Sequence, residues 1–304
     1  MNAYARRTRL QLVCLLFPVL LASCRKSESA VSAASPAAAA STEIRHPLVG
    51  AVVKADAERG TLLIDHEAIA GYMPAMVMEF KVSSGDLANA KAGQRLRGEL
   101  VQEADGVFRL EKIWPIDATA DAAVAAGTNA LRQDTTIRGK RAYREVGENL
   151  PDFALYDQSG AVVSPARFRG KRVVINFIYT RCPIATMCPA ATERMTSLQR
   201  QAKAAGVTNL ELISITLDPE FDTPGVLKQY AADRGIDTSN FSFLTGPESA
   251  IKDLLRQFGV IAMAEGSILQ HTLATLLINE NGRIVHRVDG SSWDVQEFVD
   301  KLAR

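Results

Sequence analysis

Apolar and polar positions alternate in five short runs along residues 48–56, 61–66, 76–82, 94–102 and 107–114, separated by turn residues such as Glu58-Arg59-Gly60 and Asp105-Gly106. Period-two alternation bounded by Gly and Asp reads as β-strand. Five strands in about 70 residues predict a small OB-like β-barrel, because closing the sheet removes its exposed edges. The stretch 118–147 is Ala-rich, then mixed and polar, and shows no sustained apolar face; it reads as a partly helical connector. From residue 148 the texture becomes α/β. Apolar runs at 172–179, 210–217, 241–244, 273–279 and 283–288 alternate with helical patterns at 189–204, 224–233, 248–258 and 293–303. Such alternation predicts a mostly parallel sheet with helices on both faces, finished by an antiparallel hairpin at Glu280-Asn281-Gly282.

The first residues follow a different logic. Arg6, Arg7 and Arg9 precede an almost wholly apolar run from Leu10 to Ala22, which ends in Leu21-Ala22-Ser23-Cys24. A positive start, a short apolar run and small residues make a signal peptide over 1–23. The run is shorter than the roughly 20 residues that a membrane-crossing helix needs. Its end resembles a bacterial lipobox, which implies that Cys24 is acylated and that the protein is exported to the periplasm and held at a membrane by lipid. Residues 24–44, rich in Ala and Ser, read as a tether.

Removing residues 1–23 leaves 32 basic against 34 acidic residues, a balance with no electrostatic footprint for nucleic acid. The four cysteines divide sharply: Cys14 leaves with the leader, Cys24 is the lipid site, and only Cys182 and Cys188 remain. A disulfide between them persists in an oxidising compartment but closes so short a loop that it stabilises little, so the pair reads as reactive. The strand at 172–179 delivers Cys182 at its C-terminal end, where reactive groups collect on open α/β sheets. Pro189 sets the start of the next helix and places Cys188 near its cap, where the helix dipole favours thiolate and predicts a lowered pKa.

Several segments together resemble the Sco/SenC family of thioredoxin-like copper proteins: LPDFALYDQSG, GKRVVINFIYTRCP, TLDPEFDTP, and His271 before LATLLINENGRIV. The resemblance spans 148–304 and implies a thioredoxin-like fold with Cys182, Cys188 and His271 as copper ligands. Soft thiolates with one imidazole suit copper, as Cu(I) or Cu(II). The usual family spacing has three residues between the cysteines, and this chain has five, Pro183 to Met187. Such a pair cannot share one helical face, so Cys182 must precede the helix that Cys188 starts. Met187 reads as packing the loop, Asp218 as the acidic residue supporting the site, and Asp222-Thr223-Pro224 as a helix cap.

In the barrel, His66, Met73, Met76 and Met78 crowd into a short stretch. Met76, Met78, Phe80 and Val82 read equally well as a plain core face. The segment IDHEAIAGYMPAMVMEFKV, however, resembles CusF-like periplasmic copper-binding domains, which implies Cu(I) bound by His66, Met76 and Met78 over residues 45–117. Met73 stands where those domains carry a tryptophan and is a further ligand candidate. The leading expectation is a copper chaperone serving an extracytoplasmic acceptor, through the resemblance subunit II of cytochrome c oxidase, with a thioredoxin-type reductant. The alternative is a thiol-disulfide oxidoreductase in which Cys182 and Cys188 cycle between dithiol and disulfide. A peroxidase reading fits poorly, since Thr180 stands two residues before Cys182 where peroxiredoxins have three.

Overall fold

The structure is a computed structural model that describes residues 43–303 apart from 104–105, 140–141 and 266–267. The leader, Cys14, Cys24 and most of the tether lie outside the described residues. Strands β1 (Ile44–Asp56), β2 (Thr61–His66), β3 (Met76–Lys81), β4 (Arg95–Gln102) and β5 (Phe108–Pro115) form a closed barrel in the order β1-β2-β3-β5-β4. Antiparallel ladders supply most of the ring, and a parallel bridge between Lys81 and Arg109 joins β3 to β5. Leu48, Leu62, Ile64, Phe80, Leu100 and Leu110 fill the interior, each at most 1% exposed. Each such side chain contributes about 1.5–3 kcal/mol by leaving water.

Helix α1 (Ser84–Asn89) interrupts the barrel between β3 and β4 and was absent from the sequence-based expectation. It is only six residues long, too short for helical periodicity to register, yet it carries a cap signal. The Ser83 hydroxyl accepts from the Asp86 amide at 3.0 Å and donates to the Asp86 carboxylate at 2.6 Å.

The expected partly helical connector is helical over most of its length: α2 (Ala118–Arg138) is continuous, capped by the Asp117 carboxylate and ended at Gly139 with φ 89°. Its buried side consists only of Val124, Leu131 and Thr135. So narrow a stripe leaves little hydrophobic periodicity, while the many alanines favour helix through low entropic cost. Gly127 allows close packing on the other domain, since an added Cβ would meet the Ala154 amide at 2.6 Å.

The second domain contains β6 (Leu155–Asp157), β7 (Val162–Val163), β8 (Arg172–Ile178), α3 (Cys188–Ala204), β9 (Leu210–Thr216), α4 (Pro224–Asp233) and β10 (Phe241–Thr245). It continues with α5 (Glu248–Gln257), a separate hairpin of β11 (Ala262–Glu265) and β12 (Ile268–His271), then β13 (Ala274–Ile278), β14 (Ile284–Asp289) and α6 (Val295–Leu302). The main sheet has the order β14-β13-β8-β9-β10-β6-β7. Only β8-β9 and β9-β10 are parallel, so the expected mostly parallel sheet is a mixed one. The short antiparallel strands β6 and β7 were missed, being too brief to show a period. Central β8 is buried on both faces, as its nearly unbroken apolar run requires.

The barrel packs on this domain mainly through α1 and α4. Gly85 and Gly225 let the helices touch: a Cβ on Gly85 would lie 1.9 Å from the Gly225 carbonyl oxygen. Lys228 donates to the Asn89 side chain at 2.8 Å, and Asn89 donates to the Gln158 carbonyl at 2.9 Å.

Candidate metal centres

β8 ends at Ile178, and the chain then turns through Tyr179 and Thr180 into the loop that carries Cys182. Asp222 anchors that turn from beneath. Its carboxylate accepts from the Thr180 amide at 3.1 Å, from the Thr180 hydroxyl, and from the Thr216 hydroxyl at 2.6 Å. Asp222 is wholly buried, and this burial pushes its carboxyl up to about 6 against the opposing effect of the donated hydrogen bonds. Thr223 occupies the N-cap of α4 without a side-chain bond, so the expected capping role of Asp222 is corrected: it holds the cysteine loop. Asp218 acts from outside, accepting from Arg181 at 2.6 Å, and Arg181 in turn lies 4.8 Å over the Phe221 ring.

Cys182 and Cys188 are free thiols, Cys182 partly exposed and Cys188 fully buried. Cys188 is the first residue of α3, as its following proline implies. The expected lowering of its pKa is nevertheless overturned: burial, reinforced by neighbouring Cys182, pushes the thiol well above its ordinary range. A helix terminus favours the anion by up to about 2 kcal/mol, whereas removing an ionised group from water costs several. The resting Cys188 is therefore a thiol, and a metal must displace its proton.

His271 ends β12, three residues before β13 begins, and so lies before that strand as the sequence indicated. Its Nδ1 lies 3.2 Å from the Thr272 carbonyl, an acceptor only, so Nδ1 donates and Nε2 keeps its lone pair. That lone pair faces the Cys188 sulfur at 3.5 Å. Burial lowers the imidazole pKa and keeps it neutral, the form that ligates. The Tyr179 ring meets His271 edge on at 5.4 Å, and burial with a hydrogen bond to Cys182 pushes its hydroxyl up to about 12.

Cys182, Cys188 and His271 bring their ligand atoms within 4.8 Å of one another. Three donors around one first-row ion sit about 2.0–2.3 Å from it, hence about 3.3–4.0 Å apart, so the site closes on a metal with shifts of about an ångström. Met187 packs against the core, consistent with its structural reading.

The barrel places its candidates differently. His66 and Met76 are direct cross-strand partners, and Ile64 pairs with Met78, so all three candidate side chains lie at one end of the β2-β3 ladder. Met76 is 46% exposed, Met78 is half-buried and Phe80 is fully buried. The core-face reading therefore holds for Phe80 and fails for Met76. His66 is 1% exposed, its Nδ1 lies 2.8 Å from the Glu67 carbonyl, and its buried Nε2 has no hydrogen-bond partner. A buried nitrogen without a partner costs about 1–3 kcal/mol. Beside two thioethers it is suited to a soft ion. Met73 is half-buried, bridged to Ile69 and packed on the barrel core beside Tyr72.

Comparisons with known proteins agree with both domains. Residues 45–115 match the model of the copper binding periplasmic protein CusF, and residues 141–304 match the SCO1/SenC model. The second match begins before the expected boundary at 148. The chain is 32% identical over 156 residues to the SCO1 protein homolog of Bacillus subtilis (strain 168), covering 50% of this chain and 79% of that one. Bradyrhizobium japonicum ScoI with copper bound is 26% identical with TM-score 0.43, over 52% of this chain and 98% of that one. BsSco, described with a disulfide switch and as a member of the Sco family of cytochrome c oxidase assembly proteins, is 26% identical with TM-score 0.46, over 53% and 95%. The chain belongs to the SCO1/SenC family of thioredoxin-like proteins, with copper as its metal and a CusF-like barrel at its N-terminal side.

Proposed function

We propose that this chain is an exported copper chaperone: it takes up Cu(I) at His66, Met76 and Met78 and presents copper from Cys182, Cys188 and His271 to an extracytoplasmic acceptor. The observation that carries this reading is the convergence of two sulfurs and an unprotonated imidazole nitrogen at the end of β8. Apolar side chains lie exposed near this mouth: Ile184 in the cysteine loop and Phe221 under Arg181. Such a rim supports docking of a protein acceptor. The copper centre of cytochrome c oxidase, in subunit II, is the acceptor the family resemblance suggests, and a thioredoxin-type partner would keep the cysteines reduced.

The test is a Cu(I) titration of the full chain against a competing chelator. The reduced chain should hold two copper ions and the oxidised chain one, because a disulfide offers no thiolate. Equal stoichiometry in the two states would defeat the reading. For the lipid anchor at Cys24, Cys24→Ala should move the protein from the membrane fraction to the soluble one; retention at the membrane would place the anchor elsewhere. Among the described residues no helix is long and apolar enough to cross a membrane.

Thiol-disulfide exchange is a second reading, favoured by one partly exposed sulfur beside one buried sulfur. His271→Ala separates the two. Copper retention should collapse while disulfide exchange with a small dithiol persists.

A further inference from the structure

A copper site in each domain invites the picture of a handover inside one molecule, and the strand register of the barrel opposes it. β3 and β5 run parallel with Lys81 beside Arg109, so both advance toward the same end of the barrel. β5 reaches that end at Pro115, against Gly160, where an added Cβ would lie 3.2 Å from the proline ring. Next to it Trp114 meets Tyr156 with ring centroids 5.8 Å apart. α1 leaves β3 toward the same end, and Gly85 lies against Gly225 there. This end is therefore the one docked on the thioredoxin-like domain.

Met76 starts β3, at the opposite end, and His66 pairs with it. From Met76 to Lys81, and on from Arg109 to Pro115, the strands advance roughly 25 Å along the barrel axis, at about 3.3 Å per residue and a tilt near 40°. The docking contacts themselves fall on α4, whose first turn follows Asp222 beneath the cysteine loop, and on the Gln158–Gly160 turn after β6, so the gap is set by the length of the barrel between its docked end and Met76. Ligand exchange needs both donor sets on one ion, within about 2.3 Å of it. The docked chain holds them an order of magnitude too far apart.

We infer that copper passes from the His66, Met76 and Met78 site to the Cys182, Cys188 and His271 site between two molecules and not within one. The inference rests on the reading of both clusters as copper sites. In the transfer, Cu(I) leaves two thioether sulfurs and one imidazole nitrogen and gains two thiolates and one imidazole. Two thiol protons go to water, and copper stays Cu(I) throughout. The exposed Met76 makes the barrel mouth open to a second copy.

The experiment first measures Cu(I) binding by the full chain, which reports on the underlying reading alone. The chain is then loaded at the barrel with its cysteines oxidised, and excess phosphine reductant starts transfer, followed by the ultraviolet absorbance of Cu(I)-thiolate. Copper-free protein gives the rate of reduction itself. Transfer should fall progressively behind reduction as the protein is diluted. Transfer that keeps pace with reduction at every dilution would overturn the inference. A mixture of Cu(I)-loaded Cys182→Ser, Cys188→Ser chain with reduced Met76→Leu, Met78→Leu chain should transfer with second-order kinetics, and no transfer in that mixture would overturn it equally. In Gly85→Ala the methyl would sit 1.9 Å from the Gly225 oxygen and 2.8 Å from the Gln229 amide nitrogen, forcing the domains apart. A phase independent of concentration should then appear that the parent lacks, and the same phase in both would count against the inference.

Discussion

The two proposed metal sites approach the same binding problem with opposite means. The barrel uses neutral thioethers on a strand at the solvent boundary, beside a buried imidazole nitrogen with no hydrogen-bond partner. It holds no proton on sulfur and has no disulfide state. The thioredoxin-like site uses two thiols, one of them buried and held protonated, and its ligands are usable only when reduced. The difference teaches that burial acts differently on the two kinds of sulfur. Burying a thioether costs nothing electrostatic, whereas burying a thiolate is so costly that the metal must supply the compensating charge.

The strongest way to break this comparison is to remove the thiols. Cys182→Ser with Cys188→Ser should lower Cu(I) affinity at the second site by at least about 10³-fold and leave the barrel's unchanged. A chelator titration that finds both sites weakened would show that they are not independent.

Next in size is the thioether arm. Met76→Leu and Met78→Leu should each weaken barrel binding by about 10- to 100-fold, at least the loss seen when a ligand's supporting partner is removed. Leucine preserves the volume, so the thermal midpoint should stay within a few degrees. Unchanged affinity in both variants would return these residues to packing.

Proton linkage sharpens the contrast further. Cys188 is a thiol throughout the neutral range, so metallation releases its proton and affinity at this site should rise at least tenfold per pH unit from pH 7 to 8. The barrel's thioethers have no proton to lose on binding a metal. The barrel's affinity should therefore stay nearly flat. Parallel slopes in competition titrations would contradict the assigned ligands.

The effect furthest from either metal site concerns the junction. Burial raises the Asp86 carboxyl from 3.8 to about 6, so the folded chain binds this proton more tightly than the unfolded chain does. Its contribution to stability is fully present below pH 3.8 and is lost as the pH rises through about 6. Asp86→Asn should stabilise the copper-free chain by about 2 kcal/mol at pH 7 and by much less at pH 4, read by urea unfolding. An equal gain at both pH values would mean that the carboxylate charge is not the cause.

Much of this protein was written locally. The five barrel strands follow from alternation and turn residues, β8 from its unbroken apolar run, and the start of α3 from Pro189. Those signals depend on nearest neighbours along the chain, and so did the spacing argument that placed Cys182 in a loop and Cys188 on the helix. The full length of α2 escaped because its buried face is three residues wide in effect and its alanines resemble a linker as much as a helix.

What depended on segments distant in sequence was decided only in three dimensions. The pKa of Cys188 reverses because the packing of its surroundings outweighs a dipole that the sequence could show. Asp222 takes the supporting role because Thr180, in the turn after β8, and Thr216, at the end of adjacent β9, turn their hydroxyls to it. The outward direction of the barrel end that carries His66 and Met76 follows from a single parallel pairing, Lys81 with Arg109, and from two glycines that meet across the domain junction. Periodicity says which face of a strand is buried, but only closure of the barrel and its docking say where each end of that strand points.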